Sequence, residues 1–66
     1  MTRREWVNAC ARQINAVVKD WPQALSMAGQ CAEKQSWENG ASGLAWEKPE
    51  DVAERAVEEY KECLNG

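Results

Sequence analysis

The sequence contains no histidine, and this absence bears most directly on function. Histidine is the side chain most often used as a general base near neutral pH. A Ser–His or Cys–His nucleophile is therefore impossible within this chain. Catalysis would have to rest on carboxylates with altered pKa values or on a cysteine–lysine pair, and neither is arranged for it. We expect a protein that is not an enzyme and that has no cofactor.

Paired cysteine motifs are also missing. The three cysteines, Cys10, Cys31 and Cys63, lie 21 and 32 residues apart, and there is no CxxC. Structural zinc is bound by closely spaced ligand pairs, usually four ligands in all, so no metal site is expected. An odd number of cysteines without a signal peptide favours a reducing, cytoplasmic location, with the thiols acting as small hydrophobic groups.

Long apolar segments are absent as well. No apolar run approaches the ~20 residues that span a bilayer, and the two arginines near the N-terminus are not followed by the apolar segment of a secretory signal. We therefore expect no membrane partner. The 66 residues correspond to one domain, residues 1–66. A chain this short buries only about 60% of its unfolded surface, so its stability alone is expected to be marginal.

Three segments have the spacing of amphipathic helices, and the first is the clearest. Thr2 and Glu5 form a capping box at its start. Apolar residues then recur within an arc of about 120°, and these are Trp6, Val7, Cys10, Ile14, Val17, Val18 and Trp21. The pattern predicts a helix over residues 3–19, with Trp6 and Trp21 in the core.

A second helix is predicted over residues 21–35. Asp20 is its expected N-cap, and Pro22 lies in its first turn. Its predicted inner face consists mostly of small residues, namely Ala24, Leu25, Ala28, Cys31 and Ala32. Small side chains bury little area, and Gly29 in the helix interior costs about 1 kcal/mol relative to alanine. This is therefore expected to be the weakest of the three helices.

A third helix is predicted over residues 49–64. Pro49 suits the first helical position, and Glu50 and Asp51 suit the positive end of the helix dipole. Residues 36–48 are predicted as a loop, because they contain Asn-Gly and Ser-Gly turn signals, with Gly40 near the end of the preceding helix. We therefore predict an all-α fold, a small antiparallel bundle of three helices. The alternative is a helical protomer whose first and third helices pair across a dimer.

Charge is distributed unevenly along the chain. Residues 1–34 carry five basic and three acidic side chains, whereas residues 35–66 carry three basic and eight acidic ones. Four carboxylates project from one side of the third helix, opposite its apolar arc: Asp51, Glu54, Glu58 and Glu62. We call these four residues the acidic stripe. They form either a solvated face or a surface for a basic partner, including a mimic of the nucleic-acid backbone. The charge disfavours nucleic acid itself as a partner.

Two of the four tryptophans flank the glycine-containing loop. Trp37, Leu44 and Trp46 either pin this loop to a small core, with Trp46 packing as a hydrophobic staple near Val52, or form an exposed anchor for a partner. Tryptophan is enriched among the residues that dominate binding energies. Both interpretations can hold for different tryptophans.

In its small size and acidic charge the chain resembles accessory proteins encoded by bacteriophages and prophages, which are short, helical and without catalytic residues. Some of them, anti-CRISPR and anti-restriction proteins among them, inhibit host defence complexes by binding them. The resemblance involves no motif and assigns no functional residue.

The leading hypothesis is a non-enzymatic protein-interaction module, an inhibitor of this kind, that binds a basic protein surface through the acidic stripe and through Trp37, Leu44 or Trp46. The alternative is a structural, self-assembling subunit of a larger particle. A homodimer is also predicted, formed along the first helix through Val7, Ile14 and Val18, because the small core alone gives little net stability.

Overall fold

A computed structural model describes residues 2–40 and 46–65 of the chain. These residues form three α-helices, as the sequence predicts. Helix α1 spans Arg3–Val18, α2 spans Trp21–Asn39 and α3 spans Pro49–Asn65. The all-α class is confirmed. The predicted bounds of α1 and α3 differ from these by one residue, but α2 continues four residues further than expected.

Side chains cap the starts of α1 and α2. The hydroxyl of Thr2 accepts a hydrogen bond from the N–H of Glu5 at 3.2 Å, and the Thr2 N–H donates to the Glu5 carboxylate at 3.1 Å. These two bonds lower the pKa of Glu5 and complete the predicted capping box. Asp20 caps α2 by accepting from the N–H of Gln23 at 3.5 Å. Lys19, in the left-handed conformation with φ of 58°, ends α1, so a two-residue turn joins the helices.

Gly40 ends α2. Its φ is 89°, a backbone conformation that glycine adopts without the steric cost of a Cβ atom. Its N–H still donates to the Ser36 carbonyl at 3.1 Å, so the helical hydrogen bonding continues up to this residue. The prediction that the loop begins at residue 36 is therefore wrong, because the backbone leaves the helical conformation at Gly40 itself and not before it. Trp37 consequently lies inside α2.

Helix α1 is the centre of the bundle. It packs extensively against both α2 and α3, whereas α2 and α3 make few contacts with each other. The core is formed by small residues and a few large ones: Trp6, Cys10, Ala11, Ile14, Ala24, Ala28, Ala32, Val52, Ala53 and Val57. The three buried alanines of α2 let its backbone approach α1 closely. The predicted inner face of α2 is confirmed, with Leu25 and Cys31 half-buried at its edges.

Several apolar residues of the predicted arcs do not reach the core. Trp21 is 40% exposed, because α1 ends before it and it forms the first residue of α2. The prediction of a core position is correct for Trp6 and wrong for Trp21. Leu64 is 68% exposed at the end of α3. Ile14, which was assigned to a dimer surface, is fully buried within the single chain between the helices.

Candidate functional site

Glu47 joins all three helices from the segment just before α3. Its carbonyl oxygen accepts a hydrogen bond from Trp6 Nε1 at 2.9 Å, and its N–H donates to Gln35 Oε1 at 3.1 Å. Its carboxylate Oε2 accepts from Gln35 Nε2 at 2.8 Å and from the Arg55 guanidinium at 2.7 Å. Trp6 is near the start of α1 and Gln35 near the end of α2, so their meeting at one residue fixes the antiparallel arrangement.

The ion pair at Glu47 is exposed. The side chains of Arg55 and Glu47 are 61% and 45% exposed, so water and salt screen much of their attraction. The hydrogen bond from Arg55, and next the bond from Gln35, lower the pKa of Glu47. The same contact raises the pKa of Arg55. Gln35 is buried, so its two hydrogen bonds to Glu47 fix the start of α3 more firmly than the ion pair does.

Trp46 packs onto the core beside this junction. Its ring meets Trp6 edge-to-face, with centroids 5.2 Å apart and planes at 90°. Its Nε1 donates to the Gly40 carbonyl at 2.7 Å. The half-buried Trp46 thus ties the end of α2 to the start of α3 across residues 41–45. Trp46 also packs against the buried core, of which Val52, the partner predicted for the staple, is a member. Leu44, the third member of the predicted cluster, lies outside the described residues.

Trp37 has the opposite environment. It lies in the last part of α2 and is 85% exposed. Gln35, two residues earlier, faces the core, which turns Trp37 toward the outer side of the helix. The structure therefore separates the two tryptophans that the sequence grouped together. Trp46 belongs to the packing, and Trp37 belongs to the surface.

The acidic stripe lies on the surface of α3, and all four of its side chains are exposed. Asp51 and Glu54 border a shallow groove of about 350 Å³ between α1 and α3, whose apolar lining includes Val17 and Val57. Arg55, four residues after Asp51, forms an ion pair with Glu47 at 2.7 Å. Among residues 2–40 and 46–65 this is the one ion pair, so the stripe carboxylates have none.

A second groove, of about 450 Å³, opens between α2 and α3. It exists because these two helices hardly touch. Its lining combines apolar side chains, among them Met27, Val52 and Tyr60, with the charged side chains of Lys34, Arg55 and Glu59. Two of the three cysteines, Cys31 and Cys63, also line it.

Sequence reasoning missed the Glu47 junction and this second groove. The position of Gln35 could have been predicted from the sequence. It follows Ala28 and Ala32 at helical spacing on the inner face of α2, and this spacing predicts a buried polar side chain. A buried amide needs hydrogen-bond partners, so the sequence indicates that Gln35 contacts another polar group. It does not indicate which residue supplies that group. Glu47 itself gave no signal, because a glutamate before a helix is common.

Within the part of the chain that the structure describes, no group of three or more histidine, cysteine, aspartate or glutamate side chains is placed to hold a metal ion. None of the helices there combines the length and the apolar character that crossing a membrane requires. Comparisons with protein-family models, with curated proteins and with solved structures found no match to this chain.

Proposed function

We propose that the chain is a non-enzymatic protein-interaction module that binds a basic protein surface through the acidic stripe, with Trp37 as a separate anchor. The acidic stripe carries the proposal, because its four carboxylates are exposed and, among residues 2–40 and 46–65, take part in no ion pair. Successive glutamates four residues apart on a helix repel each other by roughly 0.2–0.5 kcal/mol per pair. A cationic partner would relieve this repulsion and gain attraction at the same time.

The groove beside the stripe adds an apolar component. Val17 is partly exposed on α1 and faces the same groove as Asp51 and Glu54. Protein interfaces typically combine an apolar centre with a polar rim, and complementary charge mainly accelerates association. A basic segment with one or two apolar side chains matches this combination of carboxylates and a small apolar groove.

Trp37 supports the proposal independently. A tryptophan on the surface presents a large apolar area to solvent. Replacing such a tryptophan in a binding surface often costs more than 2 kcal/mol of binding energy. Within the described part of the chain, Trp37 makes none of the hydrogen bonds or ring contacts that hold Trp6 and Trp46. Its exposed position is more easily understood as a binding feature than as a contribution to folding.

The acidic stripe is tested with two variants of equal charge. The first carries Glu54→Gln, Glu58→Gln and Glu62→Gln. The control variant removes three exposed carboxylates away from the stripe: Glu33→Gln, Glu38→Gln and Glu59→Gln. A partner is isolated by affinity capture from the native host with the unaltered chain, and association rates are then measured at several salt concentrations.

We expect the stripe variant to associate more slowly and with a weaker salt dependence than the control variant, because steering depends on where the charge lies. Equal rates and equal salt slopes for the two variants would contradict a binding role and leave the acidic stripe as a solvated face.

Trp37→Ala tests the anchor. We expect an affinity loss of tenfold or more, since about 1.4 kcal/mol corresponds to a factor of ten, without a change in the melting temperature. Leu64→Ala, which removes another exposed apolar side chain, is the matched control and is expected to bind normally. A lowered melting temperature with unchanged affinity would instead assign Trp37 to folding.

The proposal includes the wider role inferred from size and charge, that of a phage-encoded inhibitor of a host complex acting in the cytoplasm. The odd number of cysteines supports that compartment.

One observation favours a second candidate, a self-assembling structural subunit. Val17, Trp21 and Leu64 are large apolar residues that are at least 39% exposed, and self-association would cover them. Sedimentation equilibrium separates the candidates. A monomer at micromolar concentration contradicts assembly, and a dimer or larger species supports it.

A further inference from the structure

The groove between α1 and α3 has two walls of different chemistry. Its α1 wall is uncharged and exposed, and it consists of Gln13, Ala16 and Val17. Its α3 wall carries three exposed carboxylates, those of Glu50, Asp51 and Glu54. Among the residues that the structure describes, no lysine or arginine lines this groove. A complementary occupant is therefore cationic on the side that faces α3 and apolar on the side that faces α1.

The bottom of the α1–α3 groove is apolar and made of small side chains. Ala53 is fully buried there, and Val57 is nearly so. Ala16 on the α1 wall is equally small. Two helices approach to 8–10 Å between their axes, at a distance set by the side chains at the contact. A helix of a partner that lies along this groove can therefore come close to α1 and α3 at the same time.

The backbone along the groove favours a helix over an extended segment as the occupant. Residues 13–17 lie within α1 and residues 53–57 within α3, so their N–H groups already donate to carbonyls of their own helices. An extended segment needs neighbouring N–H groups for its carbonyl oxygens, as at the edge of a sheet, and these walls offer none. A helix satisfies its own backbone and needs only side-chain contacts.

The spacing of the acidic stripe sets the length of that helix. Its members follow one another at intervals of three, four and four residues from Asp51 to Glu62. Eleven residues of α-helix correspond to about 16–17 Å. A partner helix of about three turns, with cations at the same intervals along one side, covers the whole stripe.

We propose that the α1–α3 groove is the docking site for an amphipathic helix of a partner protein, with its lysines or arginines against α3 and its apolar side chains against Ala16 and Val17. This inference rests on the proposed function and specifies the class of partner. A basic surface that is not helical is the other outcome of the test below.

The probe is a designed peptide of about 16 residues, which covers the stripe with a turn to spare. Its lysines recur at the intervals of the stripe, its leucines form the adjacent row, and a hydrocarbon staple on the far side holds the helix, because isolated helices this short are marginal. One control peptide has the same composition and staple but spreads its lysines and leucines around the helix. A second lacks the staple and has two central prolines, which prevent the helix.

Fluorescence anisotropy of the labelled peptides measures their affinities for three variants of the chain. Ala16→Gln narrows the groove without adding charge. Ser26→Gln is the matched control, since Ser26 is an exposed small residue of α2 that lines neither groove. The third is the stripe variant with Glu54→Gln, Glu58→Gln and Glu62→Gln. Melting temperatures check folding, and Val17→Gln replaces Ala16→Gln if the latter is destabilised.

We expect the matched peptide to bind the unaltered chain at least about tenfold more tightly than either control peptide, because only it offers both rows on one helix. Ala16→Gln should lose about tenfold of that affinity, and Ser26→Gln should lose none. The stripe variant should weaken the binding of all three peptides, since each of them is cationic.

Equal affinities for the three peptides would overturn the helix in the groove, as would Ala16→Gln binding as tightly as Ser26→Gln. If the stripe variant still weakens all three peptides in that case, the proposed function stands and only this inference fails. Peptide affinities that the stripe variant leaves unchanged overturn both. No binding of the matched peptide at about 1 mM also overturns this inference, while the captured partner still decides the proposed function.

Discussion

Replacing Gln35 with methionine tests how the start of α3 is held. Methionine keeps most of the buried volume of Gln35, which is only 4% exposed, but it cannot replace the amide groups that contact Glu47. The two hydrogen bonds to Glu47 are lost, and each contributes about 0.5–1.5 kcal/mol net. We expect the free energy of unfolding to fall by about 2 kcal/mol, which lowers the melting temperature of a domain this small by roughly 8–16 °C.

The measurement is urea denaturation followed by tryptophan fluorescence and far-UV circular dichroism. Both signals are needed, because Trp6 and Trp46 report on the junction while the dichroism reports on all helices. Gln30→Met is the matched control, since Gln30 is an exposed glutamine on the same helix, and it should change stability by less than about 0.5 kcal/mol. A Gln35→Met variant as stable as the control would refute the view that this amide holds the segment before α3.

Gly29→Ala should raise the free energy of unfolding by about 0.5–1 kcal/mol, measured by thermal unfolding. No heavy atom lies within 4 Å of the added Cβ, and a glycine in a helix costs chain entropy. A decrease in stability would mean that α2 needs the glycine. Trp46→Phe keeps a ring but loses the bond to Gly40, so it should cost about 1 kcal/mol, and an unchanged melting temperature would show that this bond contributes nothing. The hydrogen bond from Arg55 lowers the folded pKa of Glu47, so its stabilisation is present above the ordinary value of 4.5 and is lost as pH falls through the lowered one. Arg55→Gln should therefore reduce the loss of melting temperature below pH 4.5, and an identical acid profile would contradict this assignment.

The fold could be predicted from the sequence because the start of each helix is marked by residues that are close together in the chain. The capping box at Thr2, the Asp20 cap and Pro49 at the start of α3 act on neighbouring residues, so spacing alone places them. The end of α2 was predicted too early because a helix ends where a non-helical backbone conformation becomes favourable. In α2 this first happens at Gly40, since Ser36 and Trp37 are both compatible with a helix.

The arrangement around Glu47 could not be predicted for a different reason. Its partners are 41, 12 and 8 residues away in sequence, and no periodic pattern connects residues so far apart. The acidic stripe was predictable because all of its members lie on one helix.

The central position of α1 determines how the bundle opens. Since α2 and α3 hardly contact each other, either can detach while the other stays paired with α1. Such partial openings govern amide hydrogen exchange and cleavage by proteases. Amides of α1 should exchange last, because α1 is released only when both neighbours have left. At Glu47 and Trp46 the detachment of α3 also breaks hydrogen bonds to α2 and its Gly40 cap, so these contacts set whether the two outer helices open independently or as a single cooperative unit.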